Sequence, residues 1–91
     1  MKHIIDNNVG CEYWLDENNN FHRDNEPALI YLDGTKQWFK HGKYHRLDGP
    51  AIINSYLFRK STTSPILEWY IDGENYSEED FLRIVKMKEL L

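Results

Sequence analysis

The chain has a single cysteine, Cys11, which excludes an intrachain disulfide and any multi-thiol zinc site. That scarcity also fits a reducing compartment. Its 91 residues contain no long apolar run, so no membrane-spanning helix is expected. The opening stretch MKHIIDNNVG has one Lys, one His and only a two-residue apolar run, which matches neither a signal peptide nor a membrane anchor. No Gly-rich phosphate loop, Ser-centred elbow or HExxH pattern is present. An excess of positive charge is lacking too: 15 acids against 11 bases give a net charge of −4, which disfavours non-specific adhesion to nucleic-acid phosphates or an anionic membrane.

What the chain does have is rings. Aromatics make up 14% of it, with three Trp, six Tyr and four Phe, so large rings rather than a deep aliphatic interior must supply much of the buried area. A chain of this length forms one small domain, residues 1–91, that buries about 60 to 65% of its unfolded surface.

Local punctuation comes from Asp33-Gly34, His41-Gly42, Asp48-Gly49 and Asp72-Gly73. Three of these lie between alternating apolar runs and read as two-residue hairpin tips, whose central residues need positive φ. Asp48-Gly49 precedes Pro50 and reads as a broader turn. A tip at Asp33-Gly34 sets Ile30 opposite Gln37 and Leu29 opposite Trp38. The tip at His41-Gly42 sets Phe39 opposite Tyr44 and Trp38 opposite His45, so Leu29, Trp38 and His45 form one cross-strand row. The tip at Asp72-Gly73 sets Trp69 opposite Tyr76. An Asn-rich loop centred on Asn18 sets Leu15 opposite Phe21 and Trp14 opposite His22.

Overlaying FHRDNEPALI (Phe21 to Ile30) on YHRLDGPAII (Tyr44 to Ile53) at an offset of 23 matches His, Arg, Pro, Ala and Ile. The internal repeat is thus a hairpin that begins at Trp, returns through His-Arg and exits through Pro-Ala into a new strand. Unit one spans residues 14–37, unit two 38–68, and a truncated third 69–76. The stretch NSYLFRKSTTSP is an insertion in unit two, an exposed loop or extended tip. Residues 77–91 form a C-terminal helix, with Ser77 as N-cap, Asp80 at the third helical position and Phe81, Ile84, Val85, Lys88 and Leu91 at helical spacing. The fold class is mainly β (α+β): an antiparallel sheet of tandem β-hairpin repeats with one C-terminal α-helix that covers an open end or face.

The pairs His22-Arg23 and His45-Arg46 are the candidate chemistry. Arg offers bidentate donors and His a proton near neutral pH, which together describe a phosphate-binding, nucleotide-binding or nuclease-like site. Against it, each His faces a Trp, Tyr76 stands at the same position in unit three, and neighbouring strand residues point to opposite faces. These features favour a structural role, with the His ring packing on the Trp. Asp24 and Asp48 read as turn-forming residues that pair with Arg rather than as metal ligands, because two ligands per unit fall short of the three of a catalytic zinc. Cys11 is a half-buried structural residue rather than a thiol nucleophile. The aromatics and the local basic excess of the middle segment offer a nucleic-acid platform only weakly, since the rings are needed for the core.

WFKHGKYHRLDGPAII and EWYIDGENY resemble the tandem WxxxGxxHRxDGPA repeats, distantly similar to MORN-type β-hairpin repeats, of small proteins in large DNA phages and giant viruses. Trp38, Gly42, His45, Arg46, Asp48, Gly49, Pro50 and Ala51 carry the likeness. Unit one departs from the pattern, with Asn25-Glu26 where Asp-Gly is expected. The resemblance implies a β-repeat fold and a viral accessory setting, and it brings no catalytic residues. The expected function is a non-enzymatic phage-type accessory protein, without cofactor or metal. It acts in the host cytoplasm by binding and inhibiting a host protein such as a CRISPR effector or restriction nuclease. Its binding residues are expected in the insertion, at Tyr56, Phe58, Arg59 and Lys60, because repeat irregularities map to loops on binding faces. The alternatives are the phosphate or nuclease reading of the His-Arg pairs and a self-associating β-module, a homodimer through an open sheet edge.

Overall fold

A computed structural model describes residues 1–55 and 66–90, and it is mainly β. The strands are β1 (Lys2–Asp6), β2 (Cys11–Leu15), β3 (Leu29–Tyr31), β4 (Lys36–Gln37), β5 (Phe39–Lys40), β6 (Lys43–Tyr44), β7 (Ile52–Asn54), β8 (Ile66–Ile71) and β9 (Glu74–Tyr76). They are followed by one helix, α1 (Glu78–Glu89). Seven strands form an antiparallel sheet in the order β1, β2, β3, β4, β7, β8, β9, while β5 and β6 form a separate two-stranded ribbon. The Cα trace measures 44 × 40 × 16 Å, a slab too thin for a deep core.

Three of the four expected registers are observed. Phe39 faces Tyr44 across a tip where His41 and Gly42 have φ of 48° and 86°, and Trp69 faces Tyr76 across Asp72 and Gly73 at 50° and 86°. Both tips use two residues of positive φ, the twist that suits strand hairpins. Leu15 faces Phe21 across the Asn-rich loop, with Asn19 in the left-handed region at 62°. The fourth register shifts by one residue. Leu29 faces Gln37, not Trp38, because the connection from Tyr31 to Thr35 holds three residues, Leu32, Asp33 and Gly34. The Asp33 carboxylate accepts the Thr35 N–H at 2.8 Å and Gly34 takes φ of 94°, which together stabilise the longer loop. The cross-strand row therefore contains Trp38 and His45 but not Leu29.

The N-terminal segment adds a strand that its short apolar run does not announce. β1 lies against β2 from Lys2 opposite Leu15 to Asp6 opposite Cys11, and forms one edge of the sheet. The Asp6 carboxylate holds the intervening turn by accepting the Asn8 and Val9 N–H groups.

One face of the sheet carries Cys11, Tyr13 and Tyr31, which pack with the buried Ala28, Leu29 and Phe39. Rings then continue the core between hairpins. Tyr13, Phe21, Phe39, Tyr44 and Tyr70 follow one another with centroid spacings of 5.5, 5.1, 4.5 and 4.9 Å. On the opposite face Ile5, Glu12, Ile30, Lys36, Ile53 and Leu67 stand in register across six strands.

At the far end α1 packs on β8 and β9 through Phe81, which is 2% exposed. Ser77 caps it by accepting the Asp80 N–H at 3.1 Å, and Glu78, Glu79 and Asp80 face the positive end of its dipole. No helix among the described residues is long and apolar enough to cross a membrane.

Candidate functional site

The duplicated His-Arg residues sit where one hairpin ends and the next begins. In both units the His backbone N–H donates to the carbonyl of the opposing Trp, His22 to Trp14 at 3.0 Å and His45 to Trp38 at 3.1 Å. The following Arg folds back over that Trp. The Arg23 Cζ lies 3.7 Å from the Trp14 ring centroid, and the Arg46 Cζ 3.8 Å from that of Trp38. Each guanidinium then donates Nη1–H to a carbonyl in its own exit turn, Arg23 to Pro27 at 3.3 Å and Arg46 to Pro50 at 3.0 Å. The flat group on the Trp is thus the Arg guanidinium rather than the expected imidazole of the repeated His. Trp14 also receives His3, stacked at 4.4 Å and held by Glu12.

The imidazoles reach forward to the next hairpin. His22 Nδ1 accepts the backbone N–H of His41 at 3.0 Å, and His45 Nδ1 accepts that of Asp72 at 3.0 Å. His41 and Asp72 are the first residues of successive tips. The glycines behind them donate in the same way, Gly42 to the Phe21 carbonyl and Gly73 to the Tyr44 carbonyl, both at 2.8 Å. The ladder closes with Arg23 N–H to Phe39 carbonyl and Arg46 N–H to Tyr70 carbonyl. Accepting at Nδ1 requires its lone pair, so each ring carries its proton on Nε2. In His22 that Nε2 faces the Asp24 carboxylate at 3.3 Å. Burial in turn holds the His45 pKa below its ordinary value, against the smaller opposing pull of Asp72.

Asp24 therefore serves His22, whereas Asp48 bonds Arg46 Nε at 2.8 Å. A third carboxylate, Asp16, was not evident from the repeat. It accepts from His41 Nδ1 at 2.8 Å and from the N–H groups of Asn18 and Asn20, and these bonds lower its pKa to about 2. His41 stacks on His22 at 3.9 Å, so the first junction joins Asp16, His41, His22 and Asp24 in one chain of contacts. The sequence signal was available in retrospect: Asp16 opens an Asn-rich loop, where a carboxylate regularly collects backbone N–H groups.

Between the two exit turns lies a groove of about 490 Å³ lined by Arg23, Lys40, His45, Arg46, Asp48 and Trp38 among others. His45 and Arg46 both border it, although strand alternation set them on opposite faces, because both lie beyond the end of β6. The buried Trp38 Nε1–H has no hydrogen-bond partner among the described residues. No cluster of three or more His, Cys, Asp or Glu suited to a metal ion occurs among the described residues. Cys11 is a half-buried free thiol in β2. The expected binding residues Tyr56, Phe58, Arg59 and Lys60 lie outside the described residues. No protein-family model, curated protein or solved structure matches the chain.

Proposed function

We propose that the chain is a non-enzymatic interaction module that acts by binding another protein. The observation that carries this reading is the engagement of both His-Arg pairs: each Nδ1 accepts a main-chain N–H of the next hairpin, and each guanidinium is stacked and bonded within its own unit. A His whose lone pair already holds the fold together is a poor general base. The repeated residues thus build a scaffold, and recognition belongs to what the units do not share, above all the insertion with Tyr56, Phe58, Arg59 and Lys60. With the phage-type resemblance of the repeats, the setting is the cytoplasm of a host cell and the partner a host protein such as a CRISPR effector or restriction nuclease.

Affinity capture from host lysate with mass spectrometry tests this reading. The expected result is one host protein retained by the intact chain and lost after substitution of Tyr56 to Arg59, with the melting temperature unchanged. Failure to retain any host protein, together with no protection of phage from host defence, overturns it.

One observation favours a second reading. The groove brings Lys40 alongside Arg23 and Arg46, a cationic combination able to receive a phosphate or nucleotide. A thermal-shift panel of nucleotides and a cleavage assay comparing His45→Gln address it. No shift and no cleavage remove it.

A further inference from the structure

The two ends of the main sheet are finished differently. At one end α1 packs on β8 and β9, while at the other β1 pairs only with β2 among the described residues. Which main-chain groups β1 leaves open follows from the hydrogen bonds of β2. Trp14 donates its N–H to the Ala28 carbonyl and accepts the His22 N–H, so neither group serves His3, its partner in β1. The adjoining ladder agrees. Tyr31 bonds Thr35, which turns Ile30 toward β2 and Glu12 toward β3, away from its own β1 partner Ile5. Opposed antiparallel residues exchange both bonds or neither. The N–H and C=O groups of His3 and Ile5 therefore point out of the sheet.

We infer that this edge pairs with the same edge of a second copy, antiparallel and centred on Ile4. In that register His3 faces the second copy's Ile5 and Ile5 its His3, and each pair exchanges both main-chain bonds. Lys2 and Asp6 then stand opposite each other at both ends of the strand pair. The sequence Lys2-His3-Ile4-Ile5-Asp6 is self-complementary in this register. Centring on His3 or Ile5 instead sets a charged residue against Ile4, and a shift by one residue turns the open groups of one strand toward groups the other has already used. A lysine on a sheet edge ordinarily discourages strand addition. Here Asp6 answers it: its Oδ1 holds the turn, and Oδ2 has no partner among the described residues. Ile5, 63% exposed in the single chain, gains the cover of the second copy's His3 ring.

The pairing is independent of the partner reading above. It joins two copies into one continuous sheet and presents two sets of repeat surfaces on the same side. A strand pair of this length buries little area, so the dimer is weak and concentration-dependent.

Sedimentation equilibrium across a concentration series, with hydrogen exchange on the same samples, tests it. The expected result is a monomer–dimer equilibrium in which rising concentration slows exchange at the His3 and Ile5 amides. Ile5→Pro should weaken association by about tenfold or more, because it removes an outward N–H and no bond to β2. Lys2→Glu sets two carboxylates against each other at both ends and should fail to self-associate. It should still pair when mixed with Asp6→Asn, which keeps the Oδ1 acceptor of the turn and leaves Lys2 opposite Asp6 at one end of the mixed pair. A strict monomer at the highest attainable concentration, association untouched by Ile5→Pro, or protection confined to other strands would overturn the inference. So would an edge that takes up only strands of other proteins.

Discussion

Units one and two use the same residues for the same joint, but the second joint is made more tightly. Arg46 bonds Asp48 at 2.8 Å and the Pro50 carbonyl at 3.0 Å, whereas among the described residues the Arg23 side chain bonds the Pro27 carbonyl alone, at 3.3 Å. The difference traces to two positions: Asn25 stands where unit two has the Asp48 carboxylate, and Glu26 where it has Gly49. A Cβ built on Gly49 would lie 2.9 Å from Arg46 Cζ, so glycine lets the guanidinium settle against the turn. Unit one has Glu26 at the equivalent position, so a Cβ stands where unit two has none. It compensates elsewhere, with His3 stacked on Trp14 and His41 stacked on His22. The comparison separates what the repeat requires, the Arg on Trp and the His Nδ1 on the next tip, from what each unit improvises. Unit three confirms the boundary: after Tyr76 comes Ser77, the helix cap, and there is neither His nor Arg.

The largest contrast is expected from deleting the clamps. Arg46→Ala should destabilise the fold by about 2 to 3 kcal/mol, and Arg23→Ala by about 1 to 2 kcal/mol, since only Arg46 loses a charge-assisted carboxylate bond as well. Equilibrium urea unfolding of both variants measures the gap, and equal losses would erase the distinction between the units. A smaller effect belongs to the glycine. Gly49→Ala should cost about 1 to 2 kcal/mol by displacing Arg46, while Glu26→Ala should stay within about 0.5 kcal/mol of the parent.

Two pH effects sharpen the comparison further. The folded pKa of His45 lies below its unfolded value, so its contribution is fully present above about pH 6.5 and fades as pH falls through the folded value. Protonation there places a hydrogen against the Asp72 N–H and opens the second joint. Asp72, Lys40 and Lys88 are the charges that act on the ring, the first raising its pKa and the two lysines lowering it. Replacing His45 by Asn should flatten this part of the stability profile in urea titrations between pH 7 and 5. The Asp16 effect lies lower. Its carboxyl titrates at about 2 when folded against 3.8 ordinarily, so its stabilisation is present above the ordinary value and is lost as pH falls toward 2. Asp16→Asn should remove that acid dependence while leaving the His45 slope intact.

Much of this architecture is legible in the residues because turn chemistry is local. His41-Gly42 and Asp72-Gly73 specify positive φ at both central positions, and Ser77 with Asp80 specifies the start of the helix. Leu32-Asp33-Gly34 defeats the same reasoning, since Asp-Gly suits a two-residue tip and the end of a three-residue loop equally. β1 is hidden because an edge strand with one buried side needs few apolar residues. The His-Arg pair is legible as structure but not as mechanism. Its Trp partner follows from hairpin register, whereas the bond from His45 to Asp72 spans 27 positions and exists only once one hairpin docks on the next.

Long-range proton–nitrogen NMR at neutral pH reads the tautomer of the two repeated histidines, on which the joint between hairpins depends. His22 and His45 are expected to carry the proton on Nε2 with each Nδ1 a hydrogen-bond acceptor, and the His41 and Asp72 amides to be protected from exchange. Rings that carry the proton on Nδ1, beside freely exchanging His41 and Asp72 amides, would contradict this expectation.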